Sequence, residues 1–191
     1  MATIAIGLIM ATVAFMALQP NLKKNHVDDA YDMTLSTLRT YRNLAISHGT
    51  RYIIYPTAPG TITVQQWHYV PPPGVSPAPN TVATVTLPVD VQFAIQAGFP
   101  NPGPDGFSGT VAISFNPCTV TEGGSPCLIF YPDGSAEDDA SAPGNFNSGV
   151  IYLTRPGDLY NSRAIDVWGT TGRIRGWRLY NESGVNTWVQ Q

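Results

Sequence analysis

Charged residues are scarce in this sequence. They make up 12% of its 191 residues, about half of the ~25% that is usual in soluble domains. The formal net charge is only -3, so the chain as a whole offers no attraction to nucleic acid, and any such role must depend on a local basic patch. The length accommodates one ordinary domain plus an additional segment and excludes two large domains.

Motifs of catalysis and cofactor binding are missing as well. The sequence contains no Gly-x-Ser-x-Gly, no His-Glu-x-x-His and no phosphate-binding loop, and no paired carboxylates frame its Ser, His and Asp residues. The histidines, His26, His48 and His68, have spacings that match no metal motif and are read as ordinary surface residues. We therefore predict a protein that is not an enzyme and that has no catalytic residues, cofactor or metal site.

One acidic group comes near to a metal motif. Its members are Asp133, Glu137, Asp138 and Asp139. Their carboxylates are the ligands that Ca²⁺ prefers, but they lack the alternating spacing of a dedicated calcium loop. A solvated acidic loop is the favoured interpretation.

Charge is entirely absent from the first 22 residues, and the first charged side chain is Lys23. From Met1 to Leu18 only two threonines and one glycine interrupt the apolar residues. At ~1.5 Å per residue, such a helix reaches about 33 Å, close to the ~30 Å hydrocarbon thickness of a bilayer. We predict that residues 1–22 form a membrane-spanning helix. The less favoured alternatives are a cleaved signal peptide, which would need basic residues ahead of the apolar run, and a buried core helix.

A second helical segment follows with a different pattern. Pro20 is expected to kink the chain, and apolar residues then recur at three- and four-residue steps from Val27 to Ala45 with polar residues between them. Gly49 is placed to end the helix. Residues 23–49 are therefore predicted to continue the first helix as an amphipathic half, giving one helix of about 48 residues.

Residues 50–191 show the period of two that is typical of strands, interrupted by Pro and Gly turns. The predicted strands are Arg51–Tyr55, Thr61–Val70, Thr81–Leu87, Val91–Ile95, Thr110–Phe115, Cys127–Tyr131, Gly149–Thr154, Arg163–Trp168 and Arg173–Tyr180. The predicted fold class is α+β, with the long N-terminal helix packed on a C-terminal antiparallel β-sheet domain.

An apolar-then-amphipathic helix followed by a β domain resembles the type IV pilin and type II secretion pseudopilin superfamily. Three runs in the β region narrow the resemblance to the GspH/FimT-like minor pseudopilins. They are Phe-Tyr-Pro-Asp-Gly-Ser at residues 130–135, Gly-Val-Ile-Tyr-Leu-Thr at 149–154 and Thr-Gly-Arg-Ile-Arg at 171–175. The resemblance covers nearly the whole chain, and it depends on the order of these short motifs behind the helix.

The family opens with a basic leader, a glycine before the prepilin cleavage point and a Phe-Thr-Leu-Ile-Glu-Leu-like start. This sequence has none of them, and Ala2 to Leu18 matches the remainder of the family's membrane segment. The chain is therefore expected to lack the first few residues of that segment.

The resemblance implies a structural subunit in the assembly of a type II secretion pseudopilus or a type IV pilus, near the filament tip. Its partners would be the membrane and, through the N-terminal helix, other pilin or pseudopilin subunits. It would sit in the bacterial inner membrane as a single-pass protein, with its C-terminal domain in the periplasm or on an extracellular filament. The alternatives are a DNA-binding minor pilin of natural transformation and a secreted β protein with a signal peptide.

The two cysteines, Cys118 and Cys127, flank a segment with turn residues at Gly123 and Gly124. The turn can bring the two thiols together, and a lone pair offers too few ligands for structural zinc. In an extracytoplasmic compartment this pattern predicts a disulfide.

A basic stripe is predicted near the C-terminus, from Arg173, Arg175 and Arg178. Strand geometry places the first two on one face, and a bulge at Gly176 would bring the third to the same side. Some of the FimT-like proteins that this chain resembles bind DNA through a Gly-Arg-x-Arg segment. A solvated face or a contact with another subunit is favoured over DNA, because phosphate binding usually recruits more Lys and Arg.

Overall fold

The computed structural model describes residues 26–67, 79–118, 125–138 and 145–191. In these ranges the chain forms one α-helix, α1 (residues 26–48), and ten strands in two antiparallel sheets. The predicted membrane segment, residues 1–22, lies outside the described ranges. Among the described residues, no helix combines the length and the apolar character needed to cross a bilayer.

The first sheet has the strand order β3-β2-β1-β5-β6, and the second has the order β10-β9-β8-β7-β4. The strands of the first are β1 (Arg51–Thr57), β2 (Thr61–Trp67), β3 (Asn80–Thr86), β5 (Leu128–Phe130) and β6 (Ala136–Glu137). Those of the second are β4 (Gln92–Phe93), β7 (Gly149–Thr154), β8 (Arg163–Trp168), β9 (Arg173–Glu182) and β10 (Val185–Gln190).

Helix α1 and the two sheets share one apolar core. The apolar positions of α1 that recur at helical spacing face it, and Val27, Ala30 and Ala45 are fully buried. The inner face of the first sheet contributes Ile54, Ile62, Val64 and Phe130, and that of the second contributes Ile151, Leu153, Ile165 and Val167. The apolar side chains that recur every 3.6 residues in the helix and every two residues in the strands therefore pack in the same interior.

The predicted fold class is wrong. Of the described residues, 20% are helical and 42% are strand, so this part of the chain is mostly β with one helix rather than a long helix packed on a sheet. Hairpin spacing locates most of the strands but does not give their distribution between sheets. β1 pairs with β2, its neighbour in sequence, and also with β5, which lies much later in the chain. Long-range pairing of this kind is what closes the strands into two layers.

Most predicted strands are present, but one is not. Residues 110–115 form no continuous strand; Ile113 makes only an isolated bridge to Ile151. The segment runs beside β7 through the Ser114 N–H, which donates to Val150 O at 3.0 Å, and the Tyr152 N–H, which donates to Ala112 O at 2.9 Å. A period of two marks an extended chain, and it does not distinguish a full ladder from such partial pairing.

Two strands were missed, β6 and β10. β10 forms a hairpin with β9 across a tight turn in which Ser183 and Gly184 have φ values of 54° and 87°. Two successive residues with positive φ are typical of the turns that match the twist of a hairpin. The Ser-Gly dipeptide ahead of an alternating run was the local signal for this strand.

Cys118 and Cys127 form a disulfide, with Cα atoms 5.6 Å apart. Both cysteines are buried and pack with Ile53, Tyr55 and Ile129 on the outer face of the first sheet. The disulfide thus covers the face of β1 and β5 that points away from α1.

Replacing both cysteines, Cys118→Ala/Cys127→Ala, should lower the free energy of unfolding by about 2–3 kcal/mol, because the unfolded chain regains the freedom of a short closed loop. Denaturant titration of the oxidised protein and of the variant measures this difference. Alanine avoids burying a new hydroxyl at these apolar positions. Adding a thiol reductant should destabilise the parent chain and leave the variant unchanged; an equal response of the two would contradict the prediction.

Candidate anion-binding groove

The eight arginines of the sequence all lie among the described residues, and their surroundings divide them into groups. Three are in ion pairs: Arg155 with Asp90 and Asp158, Arg163 with Asp28, and Arg175 with Asp105.

Two further arginines lie over aromatic rings. The guanidinium of Arg51 is 5.3 Å from the ring centres of both Trp67 and Tyr131, and that of Arg178 is 5.3 Å from the ring centre of Tyr180. Cation–π contact stabilises these two charges without a carboxylate.

The remaining three, Arg39, Arg42 and Arg173, line one open groove of about 670 Å³. We call it the arginine groove. It lies between the C-terminal half of α1 and the turn that joins β8 to β9, and Trp168 and Thr171 also contribute to its wall. None of its three guanidiniums has an ion pair within the described part of the chain.

Arg42 is held in place by two backbone carbonyls. Its Nε donates to Gly134 O at 3.1 Å and its Nη2 donates to Thr171 O at 2.9 Å, so the side chain joins α1 to the turns β5–β6 and β8–β9. Gly172 makes this approach possible: its φ is 58°, and a Cβ there would collide with the Gly134 carbonyl and lie 2.7 Å from the Arg42 Nε. Only glycine fits that position without strain.

Arg39 and Arg173 are exposed. Arg39 precedes Arg42 by three residues, a spacing that places both on one face of the helix. The guanidinium of Arg173 lies 6.0 Å from the ring centre of Trp168. The groove therefore combines one fixed guanidinium with two solvent-exposed ones, an arrangement that can hold an anion by charge-assisted hydrogen bonds.

The predicted stripe of Arg173, Arg175 and Arg178 does not form. β9 pairs with β8 from Trp168↔Arg173 to Arg163↔Arg178 without a shift in register, so the bulge predicted at Gly176 is absent. Regular alternation then places Arg173 and Arg175 on one face and Arg178 on the other, beside Arg163 on the side of α1.

Gly176 has a packing role instead of a bulge. A Cβ at this position would overlap the hydroxyl end of the Tyr31 side chain on α1. The missing side chain lets the helix approach β9, and this close approach, rather than a break in the ladder, accounts for an isolated glycine within the strand.

Arg175 is unavailable to an external anion because Asp105 neutralises it. Its Nη1 lies 2.6 Å from Asp105 Oδ2, which also accepts a hydrogen bond from Trp168 Nε1 at 2.9 Å. Burial by itself raises the pKa of Asp105, but hydrogen bonds from Trp168 and Asp166 and the charge of Arg175 outweigh it and hold that pKa below its usual value.

Asp166, the cross-strand partner of Arg175, is fully buried and forms with Asp105 a carboxyl pair that the sequence did not reveal. The pKa of Asp166 is raised to about 7, mainly by burial and also by the hydrogen bond and negative charge of Asp105, while the hydrogen bond from Trp177 Nε1 at 2.9 Å opposes the shift. Up to about that pH the folded state therefore favours a protonated Asp166 beside an ionised Asp105. The pair attaches the loop of Asp105 to the outer face of the second sheet.

The other residues singled out from the sequence are dispersed. His26 Nδ1 lies 2.8 Å from Asp90 and His48 Nδ1 lies 3.0 Å from the Tyr52 hydroxyl, while His68 lies outside the described residues.

Of the acidic group, Asp133 accepts hydrogen bonds from the backbone and side chain of Ser135 at 2.9 and 2.7 Å, and Asp138 accepts one from Asn116 at 3.0 Å. Asp139 lies outside the described residues. Within the four described ranges, no group of three or more His, Cys, Asp or Glu side chains is arranged to hold a metal ion.

Comparison with known proteins found no matching family model, curated protein or solved structure.

Proposed function

We propose that the chain is a minor pseudopilin or minor pilin, a structural subunit in the assembly of a type II secretion pseudopilus or a type IV pilus, positioned near the filament tip. Residues 1–22 would insert in the bacterial inner membrane or among the corresponding helices of other subunits. The β domain would lie in the periplasm or on the extracellular filament. In this role the chain acts by assembly and is not an enzyme.

The observation that carries the proposal is the attachment of α1 to the β domain, directly after the uncharged segment. Val27 and Ala30 are buried against the core, and Asp28 pairs with the buried Arg163 of β8. The first described turn of the helix is thus fixed to the second sheet by both apolar and ionic contacts. A force applied to residues 1–22 would be transmitted to the whole domain through this turn.

The physical chemistry of the apolar segment supports the same proposal. Exposing apolar surface to water costs about 25 cal/mol per Å², so a run of this length must lie in lipid or in a bundle of similar helices. A filament subunit uses both environments in succession. It resides in the membrane before assembly and is then transferred into the helical core of the filament.

Placing a charge in the apolar segment should remove the protein from the membrane fraction. Arginine at the centre of a membrane helix costs about 2.5–3.5 kcal/mol on insertion scales, so Ile9→Arg should shift a large part of the chain to the soluble fraction. Ile46→Arg is the matched control, because Ile46 is a 45% exposed residue of α1. Fractionation followed by immunodetection measures the distribution, and equal behaviour of the two variants would contradict the anchor.

Mass spectrometry of the mature chain separates this proposal from a secreted β protein. A subunit retains residues 1–22, whereas a signal peptide would be removed at a site downstream of the apolar run. A mature chain that begins after residue 22 would decide for the secreted protein.

A DNA-binding minor pilin is a second candidate, and the arginine groove is the observation that favours it. Arg173 belongs to the Gly-Arg-x-Arg segment, and α1 adds Arg39 and Arg42 to it. Two observations count against it: Arg175 is neutralised by Asp105, and the net charge of the chain is -3. DNA binding would appear as salt-sensitive retardation of duplex DNA that Arg173→Gln reduces.

A further inference from the structure

We propose that the arginine groove binds an acidic peptide segment of a partner protein through the carboxylates of that segment. This inference concerns the chemistry of the groove and does not depend on membership of a filament.

The arginines of the groove differ from the other arginines in their charge partners. Five of the eight arginines are paired with carboxylates or lie 5.3 Å from an aromatic ring centre. The other three share one groove and have no carboxylate partner among the described residues, and only Arg173 has a ring nearby, that of Trp168 at 6.0 Å. The residues that line the groove include no Asp or Glu. Three guanidiniums that border one groove repel one another, and an external anion in the groove would offset this repulsion.

The guanidinium of Arg42 is held in a fixed position. Its Nε and Nη2 are occupied by Gly134 O and Thr171 O, which leaves Nη1 as the donor with no hydrogen bond among the described residues. The guanidinium is therefore oriented before a ligand arrives, and little side-chain entropy is lost when it binds. Arg39 and Arg173 can then close on the anion from the two walls of the groove.

The number of cations distinguishes a peptide from nucleic acid. Duplex binding depends on the release of counterions from many phosphates and needs a broad basic surface. The groove offers three guanidiniums on a chain of net charge -3. Two or three carboxylates match that number, and planar guanidiniums pair with carboxylates in bidentate geometry.

The wall of the groove also fits a peptide. Trp168 and Ile174 contribute apolar surface between the arginines, so that the aliphatic part of a glutamate side chain can pack while its carboxylate meets a guanidinium. The groove is open to solvent, which suits a segment of a larger partner better than an enclosed small molecule.

The test measures the binding of fluorescein-labelled hexaglutamate to the full chain in non-ionic detergent, by fluorescence anisotropy at physiological salt, with hexaglutamine as the neutral probe. We expect hexaglutamate to bind and hexaglutamine not to bind. Arg39→Gln/Arg173→Gln should weaken hexaglutamate binding at least about tenfold, since it removes two charge-assisted contacts. Both residues are exposed, so the thermal unfolding of the variant should match that of the parent chain.

Arg51→Gln is the matched control, because it removes an arginine that also lacks an ion pair but lies outside the groove. It should leave the affinity for hexaglutamate within about twofold. The proposal fails if hexaglutamate does not bind, if hexaglutamine binds equally well, or if Arg51→Gln weakens binding as much as Arg39→Gln/Arg173→Gln. It also fails if duplex DNA displaces hexaglutamate and loses affinity in the same variants, since the groove would then be a nucleic-acid site.

Discussion

Asp28→Asn should lower the free energy of unfolding by about 2–3 kcal/mol, because it leaves a buried guanidinium without a carboxylate. The loss is smaller than for a fully buried pair, because the Asp28 side chain is 44% exposed and solvent screens its charge. Arg163 is only 3% exposed, and the Asp28 carboxylate pairs with its Nη2. The Nη1 atom donates to the backbone carbonyls of Asn161 and Ser162 at 3.1 and 3.3 Å, but neither carbonyl supplies a negative charge. Burial lowers the pKa of Arg163, and the charge of Asp28 is the largest effect that opposes this.

Asp29→Asn is the matched control for this prediction. It lies next to Asp28 on the same turn of α1, changes the net charge by the same amount and is exposed, so its effect should stay below about 0.5 kcal/mol. Denaturant unfolding of both variants gives the comparison. Similar losses of unfolding free energy in the two variants would show that stability depends on the net charge of α1 rather than on the ion pair between Asp28 and Arg163.

A double variant tests whether the loss of stability comes from the buried, unpaired guanidinium of Arg163. Replacing a buried ion pair by apolar groups of similar size is often nearly neutral, so Asp28→Asn/Arg163→Met should be more stable than Asp28→Asn alone. If the double variant is instead less stable by the sum of the two single losses, the two side chains act independently.

The sequence predicted local structure more successfully than the sheets. The helical spacing from Val27 to Ala45 and the alternating strands are properties of short segments, and α1 and most strands have close to their predicted bounds. The division of the strands into two sheets depends on which distant strands meet, as with β1 and β5. Local periodicity carries no information about that choice, and the predicted fold class was wrong for this reason.

The candidate site shows the same division between local and long-range information. Alternation within one strand placed Arg173 and Arg175 on one face, and the structure agrees. No pattern within the strand could indicate that Asp105 would neutralise Arg175 or that Arg42 would reach the β8–β9 turn from the helix. The groove consists of residues that only the tertiary fold brings together, so its chemistry was accessible from the structure alone.

The contribution of Asp166 to stability should fall as the pH rises from about 4 to about 7, because over this range its carboxyl keeps a proton in the folded state and loses it in the unfolded chain. The pKa of this carboxyl is about 7 in the folded protein against an ordinary value of 3.8. Between these values the folded state binds one more proton than the unfolded state, so each pH unit removes up to about 1.4 kcal/mol. The contribution is fully present below pH ~4 and is lost above pH ~7, a total of up to about 4 kcal/mol.

Asp166→Asn isolates this contribution from the other groups that titrate. An asparagine can still accept the hydrogen bond from Trp177 and donate one to Asp105, but it does not ionise. The charged or titratable groups that act on this position are Asp105 from the loop, Arg175 from β9 and Tyr152 from β7, and all three remain in the variant.

The variant should therefore equal the parent chain in stability near pH 4 and exceed it by about 2–4 kcal/mol at pH 8. Denaturant unfolding across this range measures the difference between the two proteins, in which the histidines and the surface carboxylates cancel. Glu182→Gln, an exposed change at the end of β9, should show no such trend. A difference in stability between Asp166→Asn and the parent chain that is constant from pH 4 to pH 8 would mean that Asp166 binds protons equally in the folded and unfolded states over this range. In that case the attachment of the loop would not depend on a proton on Asp166. The loop would be held by the ion pair of Asp105 with Arg175 and by its hydrogen bond from Trp168.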